Sequence, residues 1–172
     1  MSEILSRRAW EQKAAALSID TQLFIDGDFK NARSQERFET INPTNGEVIA
    51  SVSLGDADDI DDAVSSARNA FRSGVWSRIE PRDRMAVMQR FADLIEANAE
   101  TLALLDSLDC GKPVATALED DVLGSVVELQ YFAELCDKIE GIVPATRSDA
   151  LHYVLRQPLG IVGAIVPWNF PF

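Results

Sequence analysis

Histidine occurs once in this sequence and cysteine twice, in 172 residues. That scarcity is the first exclusion. Cys110 and Cys136 belong to no CxxC pair and His152 adds one ligand at most, so the four-ligand set of a structural zinc site cannot be assembled. Two unpaired cysteines without a signal peptide fit a reducing compartment. Basic residues are also few: 16 lysines and arginines stand against 28 acids, for a net charge of −12. Nucleic acid is gripped by a basic stripe, so it is excluded as the main partner. No apolar run approaches the roughly 18 residues that span a bilayer. The opening MSEILSRRAWEQKAAALS mixes charges of both signs around no apolar centre. The expectation is a soluble, cytoplasmic protein with no nucleic-acid and no membrane partner.

What is present has globular proportions, 47% hydrophobic and 26% charged, enough for one domain that buries roughly 70% of its unfolded surface. Residues 1–20 read as a marginal helix or arm. QLFIDGDF predicts a hairpin turning at Asp26-Gly27, and RFETIN-PTNG-EVIASVSL predicts a second. From Gly55 the period changes. Ile60, Ala63, Val64, Ala67, Ala70 and Phe71 share a helical face, with acids in the first turn, Arg72 in the last and Gly74 to close. A second helix is expected from Pro81 to Asn98, burying Met88, Phe91, Ala92 and Ile95. A third, AETLALLDSLDC, ends at Gly111 with Pro113 beyond. A fourth is expected from Val114 to Glu140, with Leu118, Val122, Leu129, Phe132, Cys136 and Ile139 on one stripe. LHYVLRQPLGIVGAIVPW then reads as two strands around Pro158-Leu159-Gly160. The second is apolar on both faces, as strands of a covered parallel sheet are. A parallel sheet cannot consist of one strand, so the chain is expected to be a fragment.

Most candidate chemistry dissolves on inspection. DADDIDD lacks an EF-hand's spacing, because Ile60 and Asp61 stand where the fifth ligand and the obligatory glycine belong; a solvated helix start is the better account. Cys110 in LDCGKP has Lys112 near but Asp109 adjacent and no histidine close, which suits a capped helix end better than a nucleophile. His152 alternates within a predicted strand, where surface or packing roles prevail. GIVGAI lacks the GxGxxG spacing. Asn169 stands apart. It follows the buried-looking strand at its C-terminal end, where open α/β sheets place ligands. Its amide could donate to a developing oxyanion, between prolines that stiffen the backbone and beside Trp168 and Phe170. The residues alone leave that reading open beside an ordinary turn.

Taken together, FIDGDF, FETINPTNGEVIASV, DIDDAVSSARNAF, LDCGKP and YVLRQPLGIVGAIVPWNFP resemble, in order and spacing from about Leu23 to Phe172, the N-terminal third of the NAD(P)-dependent aldehyde dehydrogenase superfamily. Within it the chain looks most like bacterial enzymes acting on γ-glutamylated or amino-aldehydes. The resemblance implies an α/β fold carrying the hairpins, the helices and the first strand of a Rossmann-like sheet. It divides the chain into an arm (1–20), part of the cofactor domain (21–140), an oligomerisation strand region (141–158) and the first nucleotide-binding strand (159–172).

By the same resemblance Asn169 is the oxyanion-stabilising asparagine, and Ile165, Val166, Pro167 and Trp168 line the cofactor cleft. Ile41, through its carbonyl, and Asp109 match a monovalent-cation site of some members. The cofactor is NAD or NADP, with NAD favoured, the substrate an aldehyde oxidised to a carboxylic acid, and the assembly a homo-oligomer, dimer or tetramer. The nucleophilic cysteine, the general-base glutamate, a ribose-binding lysine and a Gly-rich turn would follow Phe172. Neither Cys110 nor Cys136 matches the nucleophile, so the fragment alone is expected to be inactive. The alternative is a short non-catalytic protein that pairs with a full-length subunit.

Overall fold

The computed structural model describes residues 5–172, so the first four residues of the expected arm lie outside the described residues. Helix α1 (Arg7–Ala15) starts where the Ser6 hydroxyl accepts the Ala9 N–H, and it buries Trp10. The hairpin of β1 (Leu23–Ile25) and β2 (Asp28–Lys30) pairs Phe24 with Phe29. Asp26 and Gly27 both take positive φ, 60° and 83°, the two-residue turn whose twist matches its strands. The second hairpin joins β3 (Arg37–Ile41) to β4 (Val48–Ser53), with a bulge between Thr40 and Ile41. Its connection is held by the Asn42 side chain accepting the Thr44 N–H at 2.9 Å.

Helix α2 (Ala57–Ser73) carries a reciprocal cap. Asp56 accepts from the Asp58 and Asp59 N–H groups, while Asp59 accepts from the Asp56 N–H, and Gly74 ends the helix in the left-handed region. The acid run therefore spends its charge on orphan N–H groups and the helix dipole. Helix α3 (Pro81–Ala97) has proline at its first turn, where no donor is missed. Helix α4 (Ala99–Cys110) stops at left-handed Gly111.

The predicted fourth helix is found as three consecutive parts that together make up α5: Val114–Thr116, a π-turn over Ala117–Val122, and Leu123–Glu134. The core lies where α1, α4 and the π-turn meet. Trp10, Ala99, Ala103, Leu104, Ala117, Leu118 and Val122 are its buried members, with no accessible surface left on Val122. The N-terminal helix is thus part of the core, and Lys13 pairs with Glu100 of α4 at 2.7 Å.

Some expected burial is not found. Phe91 and Phe132 are 56% and 55% exposed, and α2 leaves Ile60 63% exposed. The periodicity located these faces as apolar, but they are only partly covered: Ala92 is buried and Met88 and Ile95 are half-buried, while the larger rings beside them stay in the open. Helix α5 also ends at Glu134 rather than Glu140, leaving Ile139 outside it. Beyond it, the expected strand at Leu151–Gln157 is reduced to a single antiparallel bridge between Val154 and Ile142. The expected strand at Ile161–Trp168 forms no ladder at all. The physical reason is common to both: a strand needs a neighbour for its N–H and C=O groups, and beyond the Ile142–Val154 bridge no described segment pairs with either.

Candidate functional site

The turn carrying Asn169 is built by its prolines. Pro167 fixes φ at the first position of the turn, and the Phe170 N–H donates to the Pro167 carbonyl at 3.2 Å, closing Pro167–Phe170 as a β-turn around Trp168 and Asn169. Asn169 occupies the third position of that turn and is exposed. Its amide makes no hydrogen bond to any described residue, leaving the N–H₂ free to donate outward.

The turn is seated on the end of α4 and the loop after it. The Cys110 thiol lies 3.1 Å from the Trp168 carbonyl oxygen and 3.2 Å from Asp106 Oδ1. Lys112 Nζ stands 4.0 Å from the centre of the Phe170 ring. Beyond the turn, Pro171 and Phe172 close one side of an apolar cleft of about 460 Å³ between the β3–β4 hairpin and α4. Phe38, Val52, Leu102 and Leu105 form its walls, and Thr40, Asp106 and Asp109 supply polar atoms.

A charged cluster lies beneath. Lys112 pairs with Asp121 of the π-turn, and both side chains are largely buried, 15% and 4% exposed. Burial raises the Asp106 carboxyl above its ordinary range. The neighbouring Asp121 carboxyl adds to the rise, and the Cys110 and Lys112 interactions oppose it. One Asp106 oxygen, Oδ2, is buried with no partner. The Cys110 thiol is pushed up to about 11, first by burial, then by its hydrogen bond to Asp106 and the charges of Asp106 and Asp109. It is therefore a neutral donor near pH 7, the reverse of an activated nucleophile.

Ile165, Val166 and Trp168, expected at a cofactor cleft, form an open apolar edge, with Trp168 84% exposed. Such a surface suits contact with a flat ring, and nothing among the described residues hides it. Asp109 reaches the residue beside Ile41: the Thr40 hydroxyl donates to Asp109 Oδ1 at 2.6 Å. Among the described residues no group of three or more His, Cys, Asp or Glu side chains converges as a metal cage. The sequence reading missed the Asp106, Lys112 and Asp121 cluster. Its signal was an acid inside the apolar period of α4 and another inside that of α5.

Comparison with known proteins extends along nearly the whole chain. The family model of the aldehyde dehydrogenase family matches residues 29–172. The NADP/NAD-dependent aldehyde dehydrogenase PuuC of Escherichia coli is 44% identical over 162 residues, which is 94% of this chain and 33% of that protein. The aminoacetaldehyde dehydrogenase of Pseudomonas aeruginosa is 41% identical, over 99% of this chain and 34% of its own length. The chain thus spans about a third of the length of the curated relatives it matches. Among solved structures, the P. syringae indole-3-acetaldehyde dehydrogenase in complex with NAD+ and IAA superimposes with a TM-score of 0.94 at 48% identity. It covers 98% of this chain and 34% of that one. With the hairpins, helices and terminal turn all falling within one superposition, the fold is the corresponding α/β portion of those enzymes, and the chain belongs to the aldehyde dehydrogenase family.

Proposed function

We propose that this chain is the N-terminal portion of an NAD(P)-dependent aldehyde dehydrogenase, and that Asn169 donates its amide to the oxyanion formed when a nucleophile adds to the aldehyde carbonyl. The observation that carries the reading is the free amide of Asn169 at the third position of a proline-stiffened turn, within a chain that superimposes at a TM-score of 0.94 on an NAD+-bound relative. A donor held in place before the reaction stabilises charge without reorganising. Nicotinamide, when bound, supplies the hydride acceptor, and Ile165, Val166, Pro167 and Trp168 offer it one apolar wall.

NAD is the favoured cofactor, as a relative of this fold binds it. The substrate class we favour is an aldehyde bearing an amino or γ-glutamylated amino group. The aminoacetaldehyde dehydrogenase of Pseudomonas aeruginosa and the γ-glutamyl-γ-aminobutyraldehyde dehydrogenase of Burkholderia cenocepacia J2315 support it by 41% and 40% identity. The Ile41 carbonyl and the second Asp109 oxygen are proposed as ligands of a monovalent cation. The segments 1–20, 21–140, 141–158 and 159–172 are proposed as arm, cofactor-domain part, oligomerisation region and first nucleotide-binding strand of a cytoplasmic homo-oligomer.

The decisive test is Asn169→Ala in a polypeptide of family length carrying this segment. Turnover is expected to fall on the order of 10²- to 10³-fold, the scale of one lost oxyanion donor; an unchanged rate defeats the role. The 172-residue chain by itself is expected to oxidise no aldehyde with NAD. A second reading, a non-catalytic partner of a full-length subunit, draws on the exposed edge around Leu151 and Leu155, 79% and 65% accessible. Unpaired apolar backbone is a template for strand addition. Co-purification of this chain with such a subunit in fixed ratio supports it, and independent elution rejects it.

A further inference from the structure

The loop after α4 is fixed more firmly than a helix end requires. The Ser107 hydroxyl donates to the Lys112 carbonyl at 2.7 Å. Gly111 sits at φ 73°, where a Cβ would come within 3.0 Å of the Pro43 ring, so the loop is pressed against the β3–β4 connection. Lys112 is anchored by its buried pairing with Asp121. Two side chains then leave this rigid loop for the Asn169 turn. Cys110 Sγ reaches the Trp168 carbonyl at 3.1 Å, the oxygen of the peptide plane that joins Trp168 to Asn169. Lys112 Nζ lies over the ring of Phe170, the next residue, at 4.0 Å. The turn is therefore gripped on each side of Asn169, while the Asn169 amide itself is left without a partner.

We infer that Cys110 and Lys112 are positioning residues: together they hold the Trp168–Phe170 backbone in one orientation and so fix the direction in which the Asn169 amide points. The inference rests on the oxyanion reading of Asn169 for its catalytic meaning, although the clamp itself is a statement about order in the turn. The chemistry suits the task. The raised thiol pKa keeps the proton on sulfur across the neutral range, so the single S–H is shared between the Trp168 carbonyl at 3.1 Å and Asp106 Oδ1 at 3.2 Å, and Cys110 does not compete as a nucleophile. The ammonium of Lys112, withdrawn from water by Asp121, meets an aromatic face where desolvation strengthens the attraction. Two weak contacts suffice, because the turn is already stiffened by Pro167 and Pro171.

The test uses the whole chain, with order parameters measured by nitrogen relaxation at the backbone and side-chain amides of Asn169. Cys110→Ala and Phe170→Leu each remove one arm of the clamp without touching the buried Lys112–Asp121 pair. Phe170 is 54% exposed, so its replacement by leucine removes little buried surface. In the double variant the Asn169 order parameter is expected to fall from about 0.85 to below about 0.6, the range of mobile segments. Cys110→Ser, which keeps a donor, restores the thiol's share. An Asn169 order parameter unchanged in the double variant overturns the clamp, as does an equal loss in Cys110→Ser and Cys110→Ala.

In a family-length enzyme Cys110→Ala is further expected to lower kcat by up to about 10²-fold at constant KM, the scale of a misplaced catalytic group. Cys110→Ser is expected to recover it. Wild-type turnover in Asn169→Ala defeats the oxyanion reading alone, since the relaxation measurement still decides the clamp.

Discussion

The hydroxyl of Thr40 donates to Asp109 Oδ1 at 2.6 Å, tying the end of β3 to the end of α4 across 69 residues of sequence. This bond closes the wall of the apolar cleft beside Phe172, because Thr40 and Asp109 both line it. Thr40→Val keeps the shape and the β-propensity but removes the donor. It is expected to cost about 1 kcal/mol, the usual net worth of such a bond at a partly exposed site. Urea unfolding measures this, and a variant as stable as the parent would show the hairpin docked by apolar contact alone.

Cys110 offers a chemical readout of the same region. Its thiol is raised to about 11, chiefly by burial, against about 8.5 for a free cysteine. Iodoacetamide is therefore expected to label Cys110 slowly at pH 8 in the folded chain and readily in urea, followed by peptide mass analysis. The linked stability has a definite sign. With the folded value above the unfolded one, the contribution is complete below about pH 8.5 and is lost as pH rises through about 11. Equal labelling of folded and unfolded chains at pH 8 contradicts the neutral, donating thiol.

Much of this architecture is written locally. Asp56 and Gly74 mark the two ends of α2 and do so by mechanisms that act within four residues, a reciprocal cap and a left-handed stop. Asp26-Gly27 specifies its turn by the φ values those two residues tolerate. The π-turn of α5 has no such local signature. Its place depends on Ala117, Leu118 and Val122 meeting α4 and Trp10, contacts that periodicity cannot express. At the candidate site, Pro-Trp-Asn-Phe-Pro advertises a stiff turn. The thiol that reaches Trp168 lies 58 residues earlier in a segment that reads as a helix cap. The two segments read as strands after α5 are apolar as expected, but backbone pairing is a property of two segments, and neither finds a full partner among the described residues.

Asp106 is expected to be a cost to the fold at neutral pH. Burial raises its carboxyl, which means the charged form is disfavoured in the folded state. The contribution is favourable while the group stays protonated and is lost as pH rises through its folded value. Asp106→Asn keeps an oxygen for the Cys110 thiol and removes the charge, so it is expected to raise Tm at pH 7. The gain should shrink toward zero as pH falls below the folded value, where the parent carboxyl is neutral. A Tm difference independent of pH would assign the effect to packing instead of charge.

Lys112 and Asp121 allow a sharper test, because a buried ion pair and its halves behave differently. With side chains 15% and 4% exposed, the aspartate has lost nearly all of its water and the lysine most of it. Lys112→Met strands the Asp121 carboxylate and is expected to cost about 3–5 kcal/mol, the range for breaking one side of a buried pair. Asp121→Leu strands the ammonium, which can still turn toward the Phe170 ring, and is expected to cost less. The double variant removes both desolvation penalties and is expected to recover most of the loss, since an apolar replacement of a buried pair is often neutral or better. A double-mutant cycle by urea unfolding gives the coupling directly. Strict additivity of the two single losses would mean that the lysine and the aspartate are held by their separate surroundings and not by each other. Recovery of stability together with loss of order at Asn169 would separate the two roles of Lys112, because the fold would then manage without the charge while the turn does not.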